Sequence, residues 1–316
     1  MTGGDRGVTA SPPDVRPEGR PVVVGVDGSR SAGAAVRVAA AEARARGVGL
    51  RLVMVFPRGF GEHVPAAAGV DPRVVLRTAG ELVLDTLEAE VVRDFPGVPV
   101  GTALVEGPAA EVLVAEGDGA QLLCVGSTSS GGLDDLLLGS TAAAVAAHAR
   151  CPVLVVPLRP ATAVTGRSGV VVGLAGDDGD DELLAFAVQA ATNRRSSVIA
   201  VHTWQHTVPG LLHLALEPLV DEQTAQRREE ALVTDVLDRA GEPPVPVHTV
   251  VRRAGAAQTL LAAAFTAELL VVGHRHRVGP IARLRSVTSA VLHRAACPVA
   301  VLPLGAGVPA AAPAGG

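Results

Sequence analysis

One stretch of this chain is written twice. Residues 138–157 read LGSTAAAVAAHARCPVLVVP and residues 284–303 read LRSVTSAVLHRAACPVAVLP, so Cys151 and Cys297 stand 146 residues apart, each followed by Pro-Val. Upstream, VVVGVDGS (22–29) matches VVVGLAGD (170–177) at an offset of 148, and LLCVG (122–126) matches LLVVG (269–273) at 147. Three blocks in one order at nearly constant spacing mark a tandem duplication. A period near 147 residues is a whole domain rather than a solenoid unit. The full length of 316 residues holds two such copies.

Each copy alternates β-branched runs with Ala-rich amphipathic stretches. In the first, 21–26, 50–56, 100–105, 121–125 and 153–157 read as strands, and 31–46, 72–93, 108–115 and 140–149 as helices. In the second, 170–174, 197–203, 245–251, 269–272 and 299–302 read as strands. Strands apolar throughout and separated by helices predict an α/β fold with a parallel sheet covered on both faces. The Pro/Gly/Ala-rich residues 1–18 and the tail 305–316 read as disordered. Residues 19–158 form the first domain, 159–168 the linker and 169–304 the second domain.

Composition removes several kinds of chemistry. All 27 basic residues are Arg, which excludes the P-loop lysine, the kinase strand lysine and Schiff-base catalysis. Aromatics are 2% and Tyr is absent, so burial rests on Val, Leu and Ala, and there are no stacking platforms for single-stranded nucleic acid. A net charge of −5 argues against nucleic-acid or membrane-surface binding. Cys124, Cys151 and Cys297 are too few and scattered for a disulfide framework or metal site, and read as small buried hydrophobes. With no signal-peptide core and no run of 18 apolar residues, the chain reads as a soluble, cytoplasmic protein.

In a doubly wound sheet, ligands sit beyond the carboxyl ends of the strands where the strand order reverses. Copy one offers Asp27 at the end of its first strand, with a carboxylate able to accept from ribose hydroxyls. After the fourth strand, residues 126–141 form a small-residue loop in which Gly139, Ser140 and Thr141 open a helix. The free N–H groups and positive dipole end of that helix suit a phosphate. Gly126 and Gly139 let an anion approach the backbone. Taken singly, Asp27 reads equally as a strand-end cap, Ser140 as an N-cap and the loop as a solvent loop. Their coincidence at strand ends of one sheet favours a site.

Both halves resemble the universal stress protein family, through VVVGVDGS, GPAAEVLVAE and GSTSSGGLDDLLLGSTAAAVAAHARCPVLVVP in copy one. ATP-binding members carry Gly-x2-Gly-x9-Gly-(Ser/Thr) at that loop; here Gly126, Gly139 and Ser140 match, and Ser129 replaces the middle glycine. The resemblance implies two tandem five-stranded sheets of order 3-2-1-4-5 with helices on both faces. It implies pairing through the fifth strands, here within one chain, and leaves open a homodimer of whole chains. It also implies ribose contact by Asp27, adenine held at Val55, and ribose and phosphate positions at Val125, Gly126, Ser129, Gly139, Ser140 and Thr141.

Copy two lacks the pattern. Ala175 stands for Asp27, Asp177 for Ser29, Arg285 for Gly139 and Val287 for Thr141, and the loop is one residue shorter. Its basic stretch from His274 to Arg285 reads as a solvated loop or an anion- or acid-binding one, and the acids at 177–182 as a helix N-terminus. These readings predict a stress-response regulator binding ATP (or AMP or ADP, with Mg2+ optional) in copy one alone. The rivals are a weak ATP hydrolase or nucleotidyl transferase using Asp134 and Asp135, and a ligand-free scaffold.

Overall fold

The computed structural model describes residues 17–59, 71–127, 138–158, 169–205, 221–275 and 286–305. Residues 1–16, the linker 159–168 and residues 306–316 lie outside them. In chain order the elements of the first half are β1 (Val22–Val26), α1 (Arg30–Arg46), β2 (Leu50–Phe56), α2 (Pro72–Asp94), β3 (Val100–Glu106), α3 (Ala109–Gly117), β4 (Leu122–Gly126), α4 (Ser140–His148) and β5 (Val153–Val156). The second half follows with β6 (Val170–Leu174), α5 (Asp180–Arg194), β7 (Val198–Trp204), α6 (Glu222–Ala240), β8 (Val247–Arg253), α7 (Ala256–Ala264), β9 (Leu269–Arg275), α8 (Ser286–Arg294) and β10 (Val299–Leu304).

The local signals explain the boundaries. Helix α1 starts where the Ser29 hydroxyl accepts from the Ala32 N–H at 3.1 Å, and stops at Gly47, whose φ of 67° is left-handed. Asp71 and Asp221 cap α2 and α6 in the same way, through the N–H groups of Arg73 and Gln223. Strand β9 runs three residues further than its apolar pattern. Gly273, His274 and Arg275 pair with Leu302, Pro303 and Leu304 of β10, so the stretch read as a basic loop begins as sheet. The ladder outweighs the polar composition there, because a longer partner strand is present to pair with.

All ten strands form one sheet in the order β3-β2-β1-β4-β5-β10-β9-β6-β7-β8. Each half keeps the predicted 3-2-1-4-5 order and is parallel throughout. The halves meet at an antiparallel seam, with Val299 opposite Val155 and Val301 opposite Val153. Two cores result, one per face, and each runs through both halves. Residues of α1, α2, α5 and α6 pack on one face, and residues of α3, α4, α7 and α8 on the other. The inner strands are Val- and Leu-rich because both of their faces are buried, whereas the edge strands β3 and β8 are more exposed.

Polar contacts also cross between the halves. Arg194 of α5 donates to Glu42 of α1, and the Arg46 guanidinium lies 5.6 Å from the Phe186 ring centroid. Within the first half, Arg51 of β2 is buried and makes a forked ion pair with Glu116 of α3, at 2.9 and 3.2 Å. All three thiols are buried. Burial pushes the Cys124 thiol well above its ordinary value and that of Cys151 up to about 12, so both are packing groups rather than nucleophiles.

Candidate functional site at the strand-order reversal

Strand β1 lies between β2 and β4, so the chain leaves the sheet in opposite directions on its two sides. The crevice between the departing segments is where α/β sheets bind ligands. Here it is a cleft of about 560 Å3, its open mouth included. Asp27, Val55, Val125, Gly126, Gly139 and Thr141 all line it, with Ala109 and Leu113 of α3 opposite. Six of the eight residues expected from sequence therefore come together in one concavity. Ser140 occupies the first turn of α4 with its side chain exposed, and Ser129 lies outside the described residues, as do Asp134 and Asp135.

Each lining residue has a local cause. Asp27 follows β1 directly and is exposed; one carboxylate oxygen accepts from the Ser29 N–H at 3.0 Å, which shapes the turn into α1. Gly28 completes that turn at φ 77°, a conformation that favours glycine. Val55 stands near the carboxyl end of β2, paired to Val105 of β3.

The two loop glycines differ in kind. A Cβ on Gly126 would stand 2.9 Å from the Ser31 carbonyl carbon and 2.3 Å from its hydroxyl, so packing of α1 against β4 requires glycine whatever binds nearby. Gly139 has φ −63° and ψ 148°, which any residue adopts, so backbone conformation does not require glycine there. Its N–H donates to the Ser127 carbonyl at 2.7 Å, drawing the two ends of the loop together.

Helix α4 begins with the Ala143 N–H donating to the Gly139 carbonyl at 3.0 Å, and its N-terminus carries no side-chain cap. Helical geometry leaves the N–H groups of Ser140, Thr141 and Ala142 pointing out of the first turn, at the positive end of the dipole. Asp27 is the one titratable group among the described residues lining this cleft.

The second half has a corresponding cleft of about 970 Å3, mouth included, lined among others by Ala175, Asp177, Gly273, Arg275, Val287 and Leu304. Its polar groups are engaged from within. The Asp180 carboxylate, buried at the start of α5, accepts from the N–H groups of Ala175 and Gly176 at 2.9 and 2.8 Å. Burial raises the Asp180 pKa, and those two bonds pull it back. Arg275 pairs with Asp177 at 2.7 Å, and that contact raises the guanidinium pKa. A Leu304 methyl lies so close to Gly273 that a Cβ there would meet it at 2.4 Å. The acid run at 177–182 is thus more than dipole complement: Asp180 satisfies the amides that follow β6. Its small residue, Ala175, where copy one has Asp27, was the sequence signal for an altered site; nothing in the pattern pointed to Leu304. His274, the first residue of the basic stretch, is buried in β9, and residues 276–285 lie outside the described residues.

Two repeats, one doubly wound sheet and a cleft at each strand-order reversal define a tandem α/β protein. Residues 19–157 and 167–303 each match the model of the universal stress protein family, and the chain belongs to that family. A universal stress protein of Mycolicibacterium smegmatis is 31% identical over 294 residues, covering 89% of this chain and 96% of the relative. One from Mycobacterium tuberculosis is 30% identical over 292 residues, with 89% and 96% covered. The crystal structure of a universal stress protein from Archaeoglobus fulgidus superposes with a TM-score of 0.65 at 15% identity, covering 91% of this chain and all of that one; it shares the fold. Among the described residues no helix is long and apolar enough to cross a membrane.

Proposed function

We propose that the first repeat binds an adenine nucleotide, ATP with AMP or ADP as alternatives, as a conformational switch in a stress response. The second repeat serves as its non-binding pseudo-dimer partner. The observation that carries this is the convergence of Asp27, Val55, Gly139 and Thr141, from three separate segments of the sequence, on one cleft. In this reading Asp27 accepts from the ribose hydroxyls, the backbone near Val55 meets the adenine edge, and the phosphates sit on the first-turn amides of α4. No lysine is needed for that, and none exists. Any Mg2+ would accompany the phosphates. Among the described residues no group of three or more His, Cys, Asp or Glu is placed to hold a metal ion.

The described lining holds a single carboxylate, and Asp134 and Asp135, on which the hydrolase alternative rests, lie outside the described residues. Asp27→Ala removes an ionised acceptor, which is worth about 1.5–3 kcal/mol. The expected result is ATP affinity lowered roughly 10- to 100-fold, read by calorimetry, with a small fall in melting temperature from the lost bond to the Ser29 N–H. Unchanged affinity would move the ribose elsewhere. A native chain that neither retains nucleotide on purification nor binds it when added would leave the scaffold reading.

A further inference from the structure

The seam at the centre of the sheet fixes more than the pairing of strands. Because β5 and β10 run antiparallel, the helices that precede them, α4 and α8, lie on the same face in opposite directions. The C-terminal turn of α8 therefore comes to the N-terminal end of α4. At that meeting point the Nδ1 atom of His293 accepts from the Leu138 N–H at 3.4 Å, a contact spanning 155 residues of sequence. Leu138 immediately precedes Gly139, whose own N–H is held by Ser127 at 2.7 Å. Two adjacent backbone amides at the end of the loop are thus held, one from within the first repeat and one from the second.

The arrangement is one-sided. Helices α4 and α8 align residue for residue, 140–148 on 286–294, so His293 corresponds to Ala147. Ala147 is buried and has no polar side chain to return the contact. The next residue, His148, bonds the Ala144 carbonyl of its own helix at 2.8 Å. The repeat that has lost the ligand pattern carries the reaching side chain, and the repeat that keeps the pattern receives it.

We propose that His293 is a positioning residue for the first repeat's site: the second repeat braces the junction between the ligand loop and α4 from across the seam. The role of the junction in ligand binding rests on the nucleotide reading above, but the brace is a property of the ligand-free chain. It gives the second repeat a task that needs no ligand of its own, namely holding the phosphate-facing turn of α4 in place before a nucleotide arrives. A preformed turn spares the nucleotide the ordering cost of the loop end, which is how a remote contact raises affinity.

The test uses the full chain and three proteins: native, His293→Phe and His293→Asn. Phe keeps the ring and loses the acceptor, whereas the Asn side-chain carbonyl can take the place of Nδ1. Exchange of the Leu138 amide in the absence of ligand should be about 3- to 10-fold faster in His293→Phe and return towards native in His293→Asn, the scale of one net hydrogen bond. ATP affinity, measured in parallel, should fall by a similar factor in His293→Phe and recover in His293→Asn. Exchange at Leu138 that is the same in native and His293→Phe overturns the brace, whatever the binding data show. Faster exchange with unchanged affinity overturns the positioning role. If the native chain binds no nucleotide, the positioning role falls with the nucleotide reading, and the exchange result then decides only the brace.

Discussion

Glu116→Ala should destabilise the fold by about 3–5 kcal/mol, because it removes the forked carboxylate partner of a buried guanidinium. Arg51, the second residue of β2, is 2% exposed, and Glu116 supplies both oxygens of its fork. The second repeat holds the complementary experiment. At the equivalent positions it carries Ile199 and Ala263, and both pack into the core on the same face of the sheet. The double replacement Arg51→Ile with Glu116→Ala should therefore recover most of the loss, since a well-packed apolar pair is often as stable as a buried ion pair. Denaturant unfolding of native, single and double variants measures this. A double variant no more stable than Glu116→Ala would mean that the surrounding core of the first repeat cannot close around the smaller pair.

Gly139→Arg should abolish nucleotide binding, with at least about a 100-fold loss of affinity, and leave the melting temperature within a degree or two of native. The backbone there accepts any residue, so the fold has no objection. The side chain, however, would project from a residue that lines the cleft, where the phosphates must come within hydrogen-bonding distance of the α4 amides. The second repeat already carries that residue, Arg285. The charge of the arginine favours phosphate and its bulk opposes it; bulk decides, because phosphates held by amides tolerate no intervening Cβ and stem. Gly126→Ala is the contrasting change, since its Cβ would press on the Ser31 backbone and harm the packing of α1 on β4 first. Native affinity in Gly139→Arg would show that the phosphates do not sit on α4.

The sequence carried the fold in full outline because its signals were redundant. Each half repeats the same β-branched runs and caps, so every strand was legible twice, and β3-β2-β1-β4-β5 follows from the family resemblance those motifs support. The cleft lining was legible where a residue type suits a ligand's chemistry, as at Asp27, or by spacing, as at Gly139. It was less legible where packing and binding ask for the same residue. Gly126 looked like a ligand glycine, and the structure gives it a sufficient reason in Ser31. Contacts made across long separations left no local pattern. Arg51 with Glu116 and His293 on Leu138 each depend on where the sheet brings distant segments. The extension of β9 into a polar stretch was missed for the same reason, since its cause lies in β10.

One nucleotide per chain, held by the first repeat, is what the proposed function requires. Calorimetric titration of ATP into the full chain, after removal of any nucleotide carried through purification, tests it most directly. The expected result is saturable binding at one nucleotide per chain, lost on Gly139→Arg. Two nucleotides per chain, or one that survives Gly139→Arg, would contradict it.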